Sequence, residues 1–74
     1  MKIYRIFHYN GQDFTINYYA TKKLAKAHLK SLSLEYEVHG WSINLDEKND
    51  ILHCMKKGSP AINYAIEEIN VINK

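Results

Sequence analysis

Cysteine, proline and glycine are scarce in this chain of 74 residues, which has one cysteine, one proline and three glycines. A single cysteine closes no internal disulfide, so the disulfide-stapled scaffolds of small secreted proteins are excluded. No apolar run in the sequence approaches the roughly 18 residues that a membrane-spanning helix needs. The scattered glycines form no phosphate-binding loop. We therefore expect a cytoplasmic protein that has no membrane partner and no cofactor.

The remaining composition is typical of one small globular domain. Hydrophobic residues make up 46% of the chain and charged residues 24%, which argues against intrinsic disorder. The length suffices for a single domain over residues 1–74. A domain of this size buries only about 60% of the surface of its unfolded chain, so a deep catalytic cleft is not expected. Working surfaces should be flat or grooved.

The first half of the sequence predicts a β-hairpin followed by a helix. Residues Lys2–Tyr9 and 14–19 are rich in β-branched and aromatic residues, and Asn10 and Gly11 between them favour a tight hairpin turn. Thr21 is suited to cap a helix over residues 22–32. The residues of that helix that recur at helical spacing, and should face the sheet, are Leu24, Ala25, His28, Leu29 and Leu32.

The second half predicts an extended segment over residues 35–45 and a second helix. The apolar phase changes at Gly40, which indicates a β-bulge there, or else a loop at His39 and Gly40 before a strand that begins at Trp41. Asp46 or Asn49 can begin the second helix, and Gly58 ends it. The apolar stripe of that helix consists of Ile51, Leu52, Cys54 and Met55.

The C-terminal segment allows two interpretations. Ser59 and Pro60 could begin a third helix with Ile62, Ile66 and Ile69 on one face. Residues 66–72 also fit a strand, with Ile69 and Val71 facing inward, and the strand is favoured. The expected fold is therefore α+β in the order ββαβαβ, a mainly antiparallel sheet of about four strands with two helices on one face.

Residues that could support catalysis or bind a metal do not form a recognisable pattern. His53 and Cys54 are adjacent, and adjacent residues of a helix point about 100° apart, so they would not share one ion. Cys54 lies in an apolar stretch, where a thiol is usually a small core residue. Glu67 and Glu68 would point to opposite faces of a strand. The sequence predicts a protein that is not an enzyme, with no catalytic residues and no metal ligands.

The predicted first helix carries the strongest charge pattern. Residues 1–33 hold six Lys or Arg against one Asp, whereas residues 34–74 hold four Lys against seven acidic residues. The lysines of the helix fall on the side opposite its apolar stripe, where they could contact phosphates or an acidic protein surface, or serve solubility alone. These candidate partner-binding residues are Lys22, Lys23, Lys26 and Lys30.

Tyrosines form the second candidate for a binding surface. The predicted hairpin carries Tyr4, Tyr9, Tyr18 and Tyr19, and one face of the sheet should remain uncovered by the helices. Exposed tyrosines are frequent in protein-binding surfaces and can also stack on bases, although tyrosine is common in strands for packing reasons alone. Tyr4, Tyr18 and Tyr19 are the residues expected to contact a partner.

The layout of the chain resembles that of small proteins encoded by bacteriophages and mobile elements. The segments that carry the resemblance are KIYRIF, ATKKLAKAHLK, DILHCMKK and IEEINVI. Some of those proteins are inhibitors of host defence, including anti-CRISPR proteins built from a sheet and one or two helices. The resemblance implies binding to a large host protein or ribonucleoprotein complex in the host cytosol, and it transfers no functional residue.

Two functional hypotheses follow. The leading one is a non-enzymatic protein-binding module, in the manner of a phage inhibitor docking on a CRISPR-Cas-like complex, with the lysines steering and the tyrosines anchoring. The alternative is a small nucleic-acid-binding protein whose helix lysines contact phosphates beside Arg5. The last strand is also apolar enough for pairing or packing with a second copy, so a homodimer is expected as well.

Overall fold

The computed structural model describes residues 1–9 and 13–72, which form one antiparallel sheet and one helix. The predicted turn residues Asn10 and Gly11 lie outside the described residues. The elements in chain order are β1 (Lys2–Tyr9), β2 (Asp13–Tyr19), α1 (Lys22–Val38), β3 (Ser42–Asp46), β4 (Ile51–Met55) and β5 (Ile62–Asn70).

The described architecture corrects the predicted one. Five strands lie in the order β2-β1-β5-β4-β3, and every neighbouring pair is antiparallel. The order of elements is ββαβββ, with one helix, so the predicted ββαβαβ arrangement of about four strands and two helices is wrong. The predicted hairpin of β1 and β2 is confirmed, with a register shift between Ile6 and Phe7.

Helix α1 begins at Lys22, as the sequence predicts, and ends at Val38, six residues beyond the predicted end at Leu32. The Thr21 hydroxyl accepts a hydrogen bond from the backbone N–H of Leu24 at 3.2 Å, as an N-cap should. The helix continues to Val38 because Ser33, which is small, lies buried against the sheet, and Tyr36 packs on the core one turn further on. The prediction that Leu24 faces the sheet is wrong, because this side chain is 54% exposed.

Gly40 ends the helix and is not a bulge in a strand. Its φ of +87° is a left-handed conformation that favours glycine. The N–H of Gly40 donates to the Glu37 carbonyl at 3.1 Å and that of Trp41 to the Tyr36 carbonyl at 3.0 Å, which is the Schellman pattern. The rings of Tyr36 and Trp41 then meet edge to face at 5.3 Å. The alternative of a loop here is confirmed, with the strand beginning at Ser42.

A hairpin of β3 and β4 replaces the predicted second helix. Ile43 lies opposite Cys54, and Leu45 lies opposite Leu52, so alternate residues of both strands face α1. The Asp46 carboxylate accepts backbone hydrogen bonds from Lys48 and Asn49, both at 3.1 Å, and thereby closes the turn. The prediction that Asp46 or Asn49 begins a helix is therefore wrong, and the Asp46 carboxylate closes a turn between two strands instead.

Strand β5 confirms the strand interpretation of the C-terminal segment but not its inward residues. It begins at Ile62, earlier than expected, and Ile66 packs against the core below the helix, whereas Ile69 lies on the opposite face. β5 lies between β1 and β4 in the sheet. Residues 64–65 are paired on both sides and offer no free edge to a second copy, whereas residues 67–70 pair only with β1 among the described strands.

The core lies between α1 and one face of the sheet. Strands β1, β4 and β5 contribute buried side chains to this layer, and β3 contributes half-buried ones. The buried residues of the cluster are Ile6, Ala25, Leu29, Leu52, Cys54 and Tyr64. The hydroxyls of Tyr36 and Tyr64 are hydrogen-bonded at 2.7 Å, which satisfies both polar groups inside the layer.

Candidate functional site

Two of the four candidate lysines are engaged in ion pairs within the molecule. Lys22 Nζ lies 3.3 Å from Asp50 Oδ2, and Lys26 Nζ lies 3.2 Å from Asp50 Oδ1. Asp50 is only 8% exposed and adopts a φ of +55° at the end of the turn between β3 and β4. These two lysines therefore fasten the helix to that turn. Lys23 and Lys30 make no ion pair within the part of the chain that the structure describes.

We expect replacement of Asp50 by alanine to lower the free energy of unfolding by about 2 kcal/mol. The lysine partners are half exposed, so each ion pair contributes less than about 1 kcal/mol. A left-handed alanine adds about 1 kcal/mol of backbone strain. Asp50→Asn is the matched control, since asparagine tolerates positive φ, and it should lose only the ion-pair part. Urea unfolding at low and high salt measures the free energy of unfolding of both variants. An Asp50→Asn variant as stable as the wild type at low salt would contradict a stabilising role of the two ion pairs.

A cleft of about 320 Å³ lies between α1 and the turn that joins β3 to β4. Its apolar part is formed by Ala27, Leu29 and Leu45, and its rim carries Lys23, Lys26, Lys30, Glu47 and Asp50. The two carboxylates offset much of the lysine charge, and the Glu47 carbonyl lies 3.5 Å from Lys26 Nζ. The net positive field that would steer an anionic partner is therefore weaker than the lysine spacing alone suggests.

The predicted tyrosine anchors do not lie together. Tyr4 donates a hydrogen bond to Glu68 at 3.2 Å, and the Tyr19 hydroxyl is hydrogen-bonded to Nδ1 of His28 on α1. Both rings pack against the core on the helix side of the sheet. Tyr18 lies opposite Arg5, on the other side of the sheet, and is 56% exposed. The candidate lysines and tyrosines therefore form no single surface.

None of the described residues covers the face of the sheet opposite the helix, as the sequence predicts, and we call it the open face. Residues directly opposite each other on paired strands point to the same side, so the register identifies its members. Sequence reasoning missed the members on β4, because residues 51–55 were assigned to a helix, and it placed Ile69 on the core side. The open face includes Ile3, Arg5, Phe7, Tyr9, Thr15, Tyr18, Ser42, Asn44, Ile51, His53, Met55, Asn63, Ala65, Glu67 and Ile69.

The centre of the open face is an apolar row with a notch. Phe7 and Ile51 both lie opposite Ala65, one on each neighbouring strand. Ala65 is only 9% exposed because the two larger side chains flank its methyl group. The Phe7 and Ile51 side chains therefore form two ridges about 10 Å apart, twice the spacing between strands, and the Ala65 methyl group is the floor of the depression between them.

Arg5 contributes a compensated charge beside this row. Its Nε donates to Glu67 Oε1 at 2.8 Å and its Nη1 to Thr15 Oγ1 at 2.8 Å. The guanidinium carbon lies 4.4 Å from the centroid of Phe7, a cation–π contact. With 15% of its side chain exposed, Arg5 fixes the orientation of the Phe7 ring and adds little net charge to the open face.

Other chemically active side chains are individually accounted for. Cys54 is buried in the core, and burial raises the pKa of its thiol, which favours the unreactive protonated form. The His53 ring is hydrogen-bonded through Nδ1 to Asn63 Oδ1 on the open face. Across residues 1–9 and 13–72 no three His, Cys, Asp or Glu side chains converge in a metal-binding group.

The helix and the comparisons with known proteins add two negative findings. Of the described residues, no helical segment combines the length and the apolar character needed to cross a membrane. Comparison with protein-family models, with curated proteins and with solved structures found no significant match.

Proposed function

We propose that this chain is a non-enzymatic protein-binding domain whose docking surface is the open face. The observation that carries the proposal is that one helix covers only one side of a five-stranded sheet. The other side presents Phe7 and Ile51 on either side of Ala65, with Ile69 farther along β5, and no described residue covers them. Apolar and aromatic side chains with a compensated arginine are the composition of the centre of a protein interface.

The distribution of charge favours a protein partner over a nucleic acid. On the open face the arginine is paired with Glu67, whereas the helix lysines lie on the opposite side of the molecule. A single-stranded nucleic acid whose bases stacked on Phe7 or Tyr18 would therefore have no row of lysines beside its phosphates. A double-stranded nucleic acid bound to the helix would contact no aromatic side chain of the open face. The partner expected here has a neutral apolar patch.

The proposed domain would act in the cytoplasm. A cytoplasmic location agrees with a free buried thiol and with the composition of the chain. Inhibition of a host complex, as the resemblance to phage proteins implies, would be one use of the same docking surface. The open face supports docking in either case, and the identity of the partner follows from the experiment below.

The test compares binding by variants of opposite faces. Phe7→Thr/Ile51→Thr removes both ridges while keeping strand-forming residues. Lys23→Glu/Lys30→Glu reverses the two lysines that lack ion pairs among the described residues, and Leu34→Gln changes an exposed apolar residue on α1 as the matched control. Tagged proteins are used to capture partners from lysate of the source cell with and without nuclease treatment, and the captured protein is then purified and titrated by calorimetry.

We expect the wild type, the lysine variant and Leu34→Gln to bind the purified partner equally, and the double threonine variant to bind at least about tenfold more weakly, which corresponds to 1.4 kcal/mol. Unchanged affinity of the double threonine variant would overturn the proposal. Capture that disappears on nuclease treatment or in the lysine variant would support the nucleic-acid alternative instead.

A further inference from the structure

The shape and charge of the open face point to one occupant, and we propose that it is a second copy of this chain. The inference rests on the proposed function and names its partner. Two sheets would pack face to face about 10 Å apart, with the helices on the outside, in a symmetric dimer. Such a dimer uses the faces of the sheets and leaves the edge strands unpaired.

Self-complementarity of the central row is the first argument. In a two-fold dimer, a contact from residue i to residue j is repeated from j to i. The row offers a ridge, Phe7, directly beside a notch, Ala65, on the neighbouring strand. A two-fold axis between β1 and β5 places each Phe7 ring over the Ala65 of the other copy. Both notches are then filled by one repeated contact.

Charge is the second argument. Two identical surfaces repel each other when each carries a net charge at its centre. Here Arg5 and Glu67 already form a 2.8 Å ion pair on each copy, so the centre is neutral before association. The half-exposed carboxylate of Glu67 also faces the approaching copy beside Arg5. Rotation about the two-fold axis therefore brings opposite charges, and not like charges, to the middle of the interface.

The extent of the face is the third argument. Strands of five to nine residues, at about 3.3 Å per residue and 4.8 Å between strands, give the sheet a plan area of roughly 500 Å². The relief of the side chains raises the accessible area toward the ~800 Å² per partner of a standard interface. An interface of this size is sufficient for a dimer that dissociates in the micromolar range.

The thin core is the fourth argument. Within residues 1–9 and 13–72 only one side of the sheet has a covered layer, and a domain of this length buries a smaller fraction of its surface than larger domains do. Association is one of the ways in which small scaffolds gain the apolar burial that a single core lacks. A second copy would cover the open face and give the sheet a core on both sides.

Sedimentation equilibrium of the whole chain tests the dimer. From about 1 µM to about 500 µM, a range that brackets micromolar dissociation, the mean mass should rise from 8.7 kDa toward twice that value. Ala65→Lys places a charge in each notch and should weaken association at least about tenfold. Leu34→Lys adds the same charge on the far side of α1 and should associate like the wild type. Circular dichroism confirms that both variants are folded.

Isotope-filtered NMR identifies the contact itself. A mixture of labelled and unlabelled chains should give NOEs between the Phe7 ring of one copy and the Ala65 methyl of the other. A wild type that remains at 8.7 kDa throughout overturns the inference, and so does a dimer that is insensitive to Ala65→Lys. The two proposals can also be separated. If the wild type is a monomer that binds a different protein, and Phe7→Thr/Ile51→Thr no longer binds that protein, the dimer is overturned and the docking function of the open face is upheld.

Discussion

Replacement of Leu52 by alanine is expected to lower the free energy of unfolding by about 2–5 kcal/mol. Leu52 is 0% exposed and lies on β4 opposite Leu45 and Tyr64, directly in the layer covered by α1. Removing its terminal carbons loses apolar burial and leaves a cavity that a sheet paired on both sides cannot close. The per-residue range for globular proteins gives a total stability of roughly 4–11 kcal/mol for this length, so much of the stability would be lost.

The matched control for this prediction is Leu34→Ala on the outer side of α1. Leu34 is exposed, so the same chemical change should alter the free energy of unfolding by less than about 0.5 kcal/mol. Equilibrium unfolding in urea, followed by far-UV circular dichroism at a low and fixed protein concentration, measures both variants without a contribution from association. Equal effects at the two positions would mean that the helix does not cover β4 in solution.

Alkaline pH is expected to destabilise the fold through Tyr64 and Cys54. Burial, followed by the hydrogen bond with Tyr36, raises the pKa of Tyr64 above its usual range, and burial raises the pKa of the Cys54 thiol. The native state therefore retains these two protons at pH values where the unfolded chain releases them. Their contribution to stability is complete below the unfolded pKa values, about 8.5 for the thiol and about 10 for the phenol, and is lost as pH rises above each.

The slope of the free energy of unfolding against pH identifies the groups that cause the alkaline destabilisation. Each group that is protonated in the native state and ionised in the unfolded state lowers the free energy of unfolding by about 1.4 kcal/mol per pH unit. Urea unfolding between pH 7 and pH 11 should show the loss beginning near pH 8.5 and steepening near pH 10. Cys54→Ala should remove the first part and Tyr64→Phe the second. Identical slopes in Tyr64→Phe and the wild type above pH 10 would exclude Tyr64 as a cause.

The charge asymmetry between the two halves of the sequence does not survive folding. The ion pairs of Lys2 with Glu68 and Arg5 with Glu67 both join the basic first half to the acidic second half. The pairing of β1 with β5 brings these residues together across more than 60 positions. For the same reason, the spacing of the lysines on α1 could not show that two of them are bound to Asp50, which is distant in sequence.

Local signals in the sequence were sufficient for the elements whose residues interact with near neighbours. The alternation of apolar residues and the turn composition predicted the hairpin of β1 and β2, and Thr21 predicted the start of α1 because a cap acts within one turn. The C-terminal segment was also correctly assigned to a strand in preference to a helix. The single covered layer and the uncovered face followed from the same amphipathic patterns.

Tertiary contacts decided the rest. Ile51, Leu52, Cys54 and Met55 satisfy a helical stripe and a strand equally well, and only pairing with β3 and β5 on both sides makes the strand more stable. The length of α1 likewise depended on the packing of Ser33 and Tyr36 against the sheet. The sequence by itself determined one small amphipathic domain with an apolar and a polar side. The central position of β5, and the side by side placement of Phe7 and Ala65 that follows from it, were decided by long-range pairing, which no local pattern encodes.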